Sequence, residues 1–419
     1  MELLGFHLRN LKFDCAEELV YVVILGLKGT FRMEKKKLAQ STTEYHKPGK
    51  ERSKKSVKGL LALFALSVLG MLLCVALLVA YVDPFFHYHK PLPGFPYQVD
   101  NQLSQNPGMA RHMEYDSVLL GSSMTVNFNT RWFAELMDLN TLKLSYSAAY
   151  PKDQANIMEK VFGSGHEVKQ VFLGIDVITY TGGVEETKYP IPEYLYDDKP
   201  INDIYYLLNK DVLLNYILRP IADPEPTDLA TMYASWWTEE YYSEDWVLLN
   251  YVQPEIISEE TNPEDFTGRA KRNLETNICP FIEANPDTEF VIFFPPYSIL
   301  FWNNVLRENH MKATIEEYRY IANHLNSYDN VELYFFPDRE DIVLDLNNYA
   351  DYSHYHPRFN RFMAECFVDG TGIVAKESGI PADASQEKEK RYEKAQTIDA
   401  YLAHMEEVVE AFDFDGLLN

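Results

Sequence analysis

The sequence predicts an α/β protein: a doubly wound, parallel, five-stranded sheet with an inserted helical cap, preceded by one transmembrane helix. Three observations predict it. From about residue 112 onward, short apolar runs bounded by turn residues alternate with segments of helical period. A charge-free run of 24 residues, Gly59 to Val82, lies ahead of them. A stretch rich in Tyr, Trp, Pro and acidic residues breaks the alternation at about 182–275.

Residues 1–58 carry 13 Lys+Arg against 7 Asp+Glu, a net +6, whereas the remainder carries 25 basic against 56 acidic residues, a net −31. The two parts therefore face different surroundings. The first is a basic, polar tail with one apolar patch, Leu19 to Leu27, too short to span a bilayer; disorder is the expectation there, and Met33 is an alternative start. The run from Gly59 to Val82 is long enough, at 1.5 Å per helical residue, to cross a hydrocarbon core about 30 Å thick. It is longer than a signal-peptide core and lacks a small-residue cleavage site, so it is expected to stay as an anchor. The basic flank Arg52, Lys54, Lys55 and Lys58 keeps the N-terminus cytoplasmic by the positive-inside rule, which makes the protein a single-pass membrane protein with its main domain extracellular.

After a linker over 83–111, strands are predicted at Ser117–Leu120, Leu142–Leu144, Val171–Leu173, Phe290–Phe294 and Val331–Phe336. Between the last two, Ile315, Tyr318, Ile321, Ala322 and Leu325 recur at helical spacing and supply a crossover helix. Five strands so connected predict a flavodoxin-like sheet within a domain over 112–375, whose sites lie at the carboxyl ends of the strands. The insertion at 182–275 brings Tyr233, Trp236, Trp237, Tyr241, Tyr242 and Trp246; they either pack the insertion down or stack on a sugar or acyl group. Over 376–419, Ile398, Tyr401, Leu402, Met405, Val408, Val409 and Phe412 recur at three- and four-residue steps, an amphipathic helix that packs on the domain or takes a partner.

An acidic main domain excludes nucleic acid, whose backbone requires a basic footprint. Four cysteines without zinc-type spacing predict no metal, and the absence of a glycine-rich phosphate loop or dinucleotide fingerprint predicts no cofactor. Cys279 and Cys366 either pair or stand as separate buried thiols.

Two short stretches carry the chemistry. In Asp116-Ser-Val-Leu-Leu-Gly-Ser-Ser-Met-Thr-Val-Asn-Phe128 an apolar strand runs into a small-residue turn, which exposes a hydroxyl and aims backbone N–H groups at an incoming oxygen, as acyl transfer requires. In Asp351-Tyr-Ser-His-Tyr-His-Pro357, after the last strand, an imidazole three residues from a carboxylate can take the serine proton while the carboxylate orients it.

This pairing resembles the SGNH/GDSL hydrolase superfamily, with its early Gly-x-Ser turn and late Asp-x-x-His, over about residues 112–370. Within it the chain is similar to membrane-anchored SGNH-like proteins of bacterial cell envelopes, of the kinds that take part in D-alanylation of teichoic acids or O-acetylation of exopolysaccharides. The resemblance implies an extracytoplasmic serine esterase or O-acyltransferase acting on an acylated cell-envelope glycan or polymer, with a membrane acyltransferase as a candidate partner, or an inactive scaffold on the same fold. It makes Ser123 the nucleophile, His354 the general base and Asp351 its orienting acid, with Ser122 and His356 as alternatives. The N–H of Ser123 is one expected oxyanion donor. The superfamily's second block offers a glycine N–H; the matching stretch here is Ser145-Tyr-Ser-Ala-Ala-Tyr150, which leaves Ala148 or Ala149. The third block offers an asparagine side chain, but this chain has Asp176, which accepts rather than donates unless burial protonates it. Loss of one such donor costs about 2.7–4 kcal/mol of transition-state stabilisation.

Overall fold

Five short, β-branched and aromatic runs pair into one all-parallel sheet in the computed structural model, which describes residues 50–234, 238–380 and 384–418, with side chains from residue 57 onward. The strands are β1 (Ser117–Leu120), β2 (Thr141–Lys143), β3 (Gln170–Gly174), β4 (Glu289–Phe294) and β5 (Val331–Phe335), each within one residue of its predicted limits. Their order across the sheet is β2-β1-β3-β4-β5, and the register pairs Leu120 with Leu173 and Gly174 with Phe293. Every residue of β1 and β5 is buried, the mark of a parallel sheet covered on both faces. Phe133, Phe172, Phe293 and Phe367 meet in a cluster of tilted rings beneath the site.

The chain divides into two units. One holds residues 85–90, 99–192 and 226–419. In it the helix Met311–Asn326 buries Ile315, Tyr318, Ile321, Ala322 and Leu325 as its period predicts. The helix Pro263–Asn273 packs against Met311–Asn326, although it lies within the stretch predicted as the cap. The helix Ile398–Ala411 also packs on Met311–Asn326, with Tyr401 Oη donating to the Ile373 carbonyl at 3.2 Å. Residues 102–112, predicted as linker, form a helix, and a Cβ at its Gly108 would sit 2.0 Å from the Phe85 carbonyl oxygen.

The other unit holds the described residues up to 84 together with 91–98 and 193–225. Its helix Lys50–Val82 contains a 26-residue segment, Val57–Val82, long and apolar enough to cross a membrane. The helix ends at Asp83, in left-handed conformation at φ 47°, whose buried carboxylate accepts from Tyr206 Oη at 2.9 Å. Part of the predicted cap, 193–225, thus belongs with the apolar helix rather than with the sheet. Of the predicted tail over 1–58, residues 1–49 lie outside the described residues, as do Trp236 and Trp237, while 50–58 belong to the helix Lys50–Val82 rather than to a disordered tail.

Candidate active site

The site stands at the carboxyl ends of β1, β3 and β5, where open parallel sheets present their loops. β1 delivers the chain to Gly121, whose φ of 145° is foreign to residues with a side chain; a Cβ there would come 2.5 Å from Thr125 Cγ2. Gly174, at the end of β3, leaves room for the same methyl group from the other side, since its Cβ would lie 2.7 Å away. That methyl fills the space between the two glycines, while Thr125 Oγ1 bonds the Ser122 carbonyl at 2.9 Å and Ser145 Oγ at 2.7 Å. The turn is thereby locked, and a 3₁₀ helix begins at Ser123.

Ser123 Oγ lies 2.8 Å from His354 Nε2, and His354 Nδ1 lies 2.7 Å from Asp351 Oδ2. The other carboxylate oxygen, Oδ1, accepts from the N–H groups of Ser353 and His354, both at 2.8 Å. Burial opposes the ionisation of Asp351, but the hydrogen bond and charge of His354 and the two backbone donors outweigh it and hold the carboxyl at about 2. An ionised acid on Nδ1 fixes the tautomer that leaves Nε2 free to accept from the serine.

The histidine loop is pinned at both ends. Ala350 N–H donates to the His354 carbonyl at 2.9 Å and His356 N–H to the Asn348 carbonyl at 2.7 Å. Tyr349 Oη reaches the Pro296 carbonyl at 3.0 Å, and Ser298 Oγ reaches the Tyr352 carbonyl at 2.5 Å. Tyr355 and Asn360, both fully or nearly fully buried, donate to the carbonyl of Met124, beside the serine.

The alternatives are engaged elsewhere. Ser122 is buried, accepts from the Met124 N–H at 3.2 Å, and bonds Asp176. His356 Nε2 faces Glu239 at 3.1 Å, its Nδ1 accepts from Arg358 N–H at 3.0 Å, and its ring packs on Tyr242 at 4.5 Å.

Among the oxyanion candidates the structure separates Ala148 from Ala149. The N–H of Ala149 already donates to the Tyr146 carbonyl at 2.9 Å. In the same loop Tyr146 N–H bonds the Gly121 carbonyl, Ser147 N–H bonds Gln102 Oε1 and Tyr150 N–H bonds Asp153. Only Ala148 in the run 146–150 keeps an uncommitted N–H, at φ 57°, the left-handed conformation for which a glycine would be the easy choice. Ser123 N–H is likewise without an acceptor among the described residues.

Asp176 follows β3 and is buried beside Ser122 and Tyr297, accepting from the Tyr297 hydroxyl. Its carboxyl also lies within electrostatic reach of His354 and of the buried phenols Tyr180, Tyr318 and Tyr355. Burial, only partly offset by those hydrogen bonds, raises its pKa, and only its protonated form could donate.

Several residues that position the site carried no sequence signal. Asn106 Nδ2 donates to the Leu144 and Ser145 carbonyls, both at 3.1 Å, while its Oδ1 accepts from Tyr233 Oη at 2.9 Å. Lys143, fully buried, donates to the Val126 and Phe128 carbonyls at 2.6 and 2.8 Å and so closes the segment after the serine. Of the predicted aromatics, Tyr233 and Tyr242 pack inward and Tyr241 meets Trp246 at 4.7 Å. Cys279 and Cys366 are separate buried thiols. Among the described residues no three His, Cys, Asp or Glu side chains converge as a metal site would need. No protein-family model matches this chain, and no curated protein matches it.

Proposed function

We propose that this chain is a membrane-anchored serine esterase or O-acyltransferase of SGNH/GDSL type, acting on acyl esters of a cell-envelope glycan or polymer outside the cell. The observation that carries it is the unbroken chain of short hydrogen bonds from Ser123 Oγ through His354 to Asp351. Support for the doubly wound, flavodoxin-like form comes from the strand order, which steps outward in both directions from the β1 and β3 pair. The apolar helix supplies the anchor, and the basic residues Arg52, Lys54, Lys55 and Lys58 ahead of it favour a cytoplasmic N-terminus.

In this mechanism Ser123 Oγ attacks the carbonyl carbon of an ester while His354 Nε2 takes its proton. The carbonyl oxygen becomes an oxyanion held by the N–H groups of Ser123 and Ala148, and the imidazolium is stabilised by Asp351. Collapse expels the alcohol, which receives the proton from Nε2 and leaves an acyl-serine. Water or a glycan hydroxyl then repeats the steps in reverse, giving hydrolysis or transfer.

The test is turnover of acetyl and short-acyl esters by the purified full-length protein, wild type against Ser123→Ala. Loss of turnover with the fold intact supports the proposal. Turnover that survives the substitution rejects Ser123 as nucleophile.

A non-catalytic binding role on the same fold is favoured by one observation, a buried aspartate, acceptor-only when ionised, at position 176, where the superfamily offers an asparagine side chain. Absence of turnover on every ester, together with glycan binding that Ser123→Ala leaves unchanged, would select it.

A further inference from the structure

The unit that contains the apolar helix has a second apolar element. Residues 204–207 and the π-helix Val212–Leu218 both pack against the helix Lys50–Val82. Tyr206 and Ile217 are fully buried in this unit, and Val79 and Val82 are buried at the C-terminal end of the long helix. The rest of the segment points the other way. Ile201 is 87% exposed and Ile221 60%, and Ile204, Tyr205, Leu214 and Leu218 are also exposed.

The exposure is patterned. Leu214, Leu218 and Ile221 recur at steps of four and three and so share one face, while Val212, Ile217 and Pro220 turn inward. An apolar face of this kind, left in water, marks a site of interaction. Charge does not draw it there: residues 193–225 hold seven acidic against three basic residues. Its occupant must accept hydrocarbon and need not be cationic or anionic.

We propose that residues 201–222 are a second membrane contact, seated in the interfacial layer that the C-terminal end of the spanning helix enters. The proposal rests on the anchoring role given above to that helix. The charge-free run of 24 residues rises about 36 Å, some 6 Å more than the hydrocarbon core of about 30 Å. Its C-terminal end, about one turn, therefore stands in the interface, the layer in which amphipathic segments bury their apolar faces about 5–10 Å deep. The segment tied to that end, through Tyr206 and Asp83, shares that layer. Tyr81 and Tyr205 expose phenol rings, the type enriched at membrane–water boundaries, and Arg219 has a stem long enough to bring its charge back to the headgroups.

The test reconstitutes the full-length protein in phosphatidylcholine and phosphatidylglycerol vesicles containing a phospholipid with a diazirine in its acyl chain. After irradiation, the labelled peptides are mapped by mass spectrometry. Labelling of both 57–82 and 201–222, with 398–411 unlabelled and the 201–222 label lost in a Leu218→Asp, Ile221→Asp variant, supports the proposal. Both replaced side chains are exposed, so the variant keeps its fold, which its thermal transition verifies. Labelling of 57–82 alone overturns the second contact and leaves the anchor standing. Absence of label from 57–82 removes the anchor itself, and label on 201–222 that persists in the variant overturns the assigned face.

Discussion

Tyr355 Oη donates to the carbonyl oxygen of Met124 at 2.6 Å. The residue after His354 thus holds the residue after Ser123, and two loops 231 positions apart in the chain are joined by a buried hydrogen bond. Asn360 Nδ2 shares the same carbonyl at 3.1 Å. This joint fixes the separation of the loops that bring Ser123 Oγ and His354 Nε2 together.

Tyr355→Phe keeps the ring and removes the joint. Because a misplacement of about 1 Å can cost on the order of 100-fold in rate, the expected loss in kcat is about 10- to 100-fold with KM little changed. Stability should fall by about 1–2 kcal/mol, the cost of removing a buried hydrogen bond. Steady-state kinetics with denaturant melts check both.

Asp176 gives a pH dependence. Burial raises its pKa above the ordinary 3.8, and ionisation places a negative charge beside the developing oxyanion. The rate should therefore fall as pH rises through the raised value. Asp176→Asn carries no proton to lose and keeps a donor, so it should lack this alkaline fall. A pH–rate profile of the variant that retains the same fall would assign it to another group.

Glu317 bears on stability alone. It is fully buried in the helix Met311–Asn326, and neither carboxyl oxygen has a hydrogen-bond partner among the described residues. Burial raises its pKa well above 4.5, so the folded state holds the proton more tightly than the unfolded state does. The stabilisation from that proton is whole below pH 4.5 and is lost as pH rises through the folded value. Glu317→Gln should accordingly melt higher than wild type at pH 8, with a smaller difference at pH 4, by calorimetry.

Gly121→Ala should destabilise by about 2–4 kcal/mol, from a left-handed backbone and the contact with Thr125 together. Gly163→Ala is the contrasting case. Nothing lies within 4 Å of its Cβ and its helix is regular, so it should be neutral or slightly stabilising. Urea melts of the two variants measure the difference.

The sheet and the three side chains in line were legible because each is written in a few adjacent residues. An apolar strand followed by Gly121-Ser-Ser123 sets a turn, and Asp351 three residues before His354 sets a hydrogen-bonded loop. What holds these pieces in place was not legible. Asn106, Lys143, Tyr355 and Asn360 act through carbonyl groups far away in the chain, and nothing in their own neighbourhoods announces it. The engagement of the Ala149 N–H has the same origin, since a turn that spends it on Tyr146 appears only once the backbone is folded. Residues 193–225 read as cap because their aromatic and acidic composition fits a surface insertion. Their packing on the apolar helix depends on contacts such as Tyr206 with Asp83, which composition does not encode.

The most direct measurement is the site of covalent labelling by a fluorophosphonate on the full-length protein, read by mass spectrometry. An activated hydroxyl at Ser123 predicts a single adduct on that residue, absent in His354→Ala and retained in Ser122→Ala. No adduct on a folded protein, or an adduct at Ser122, would contradict it.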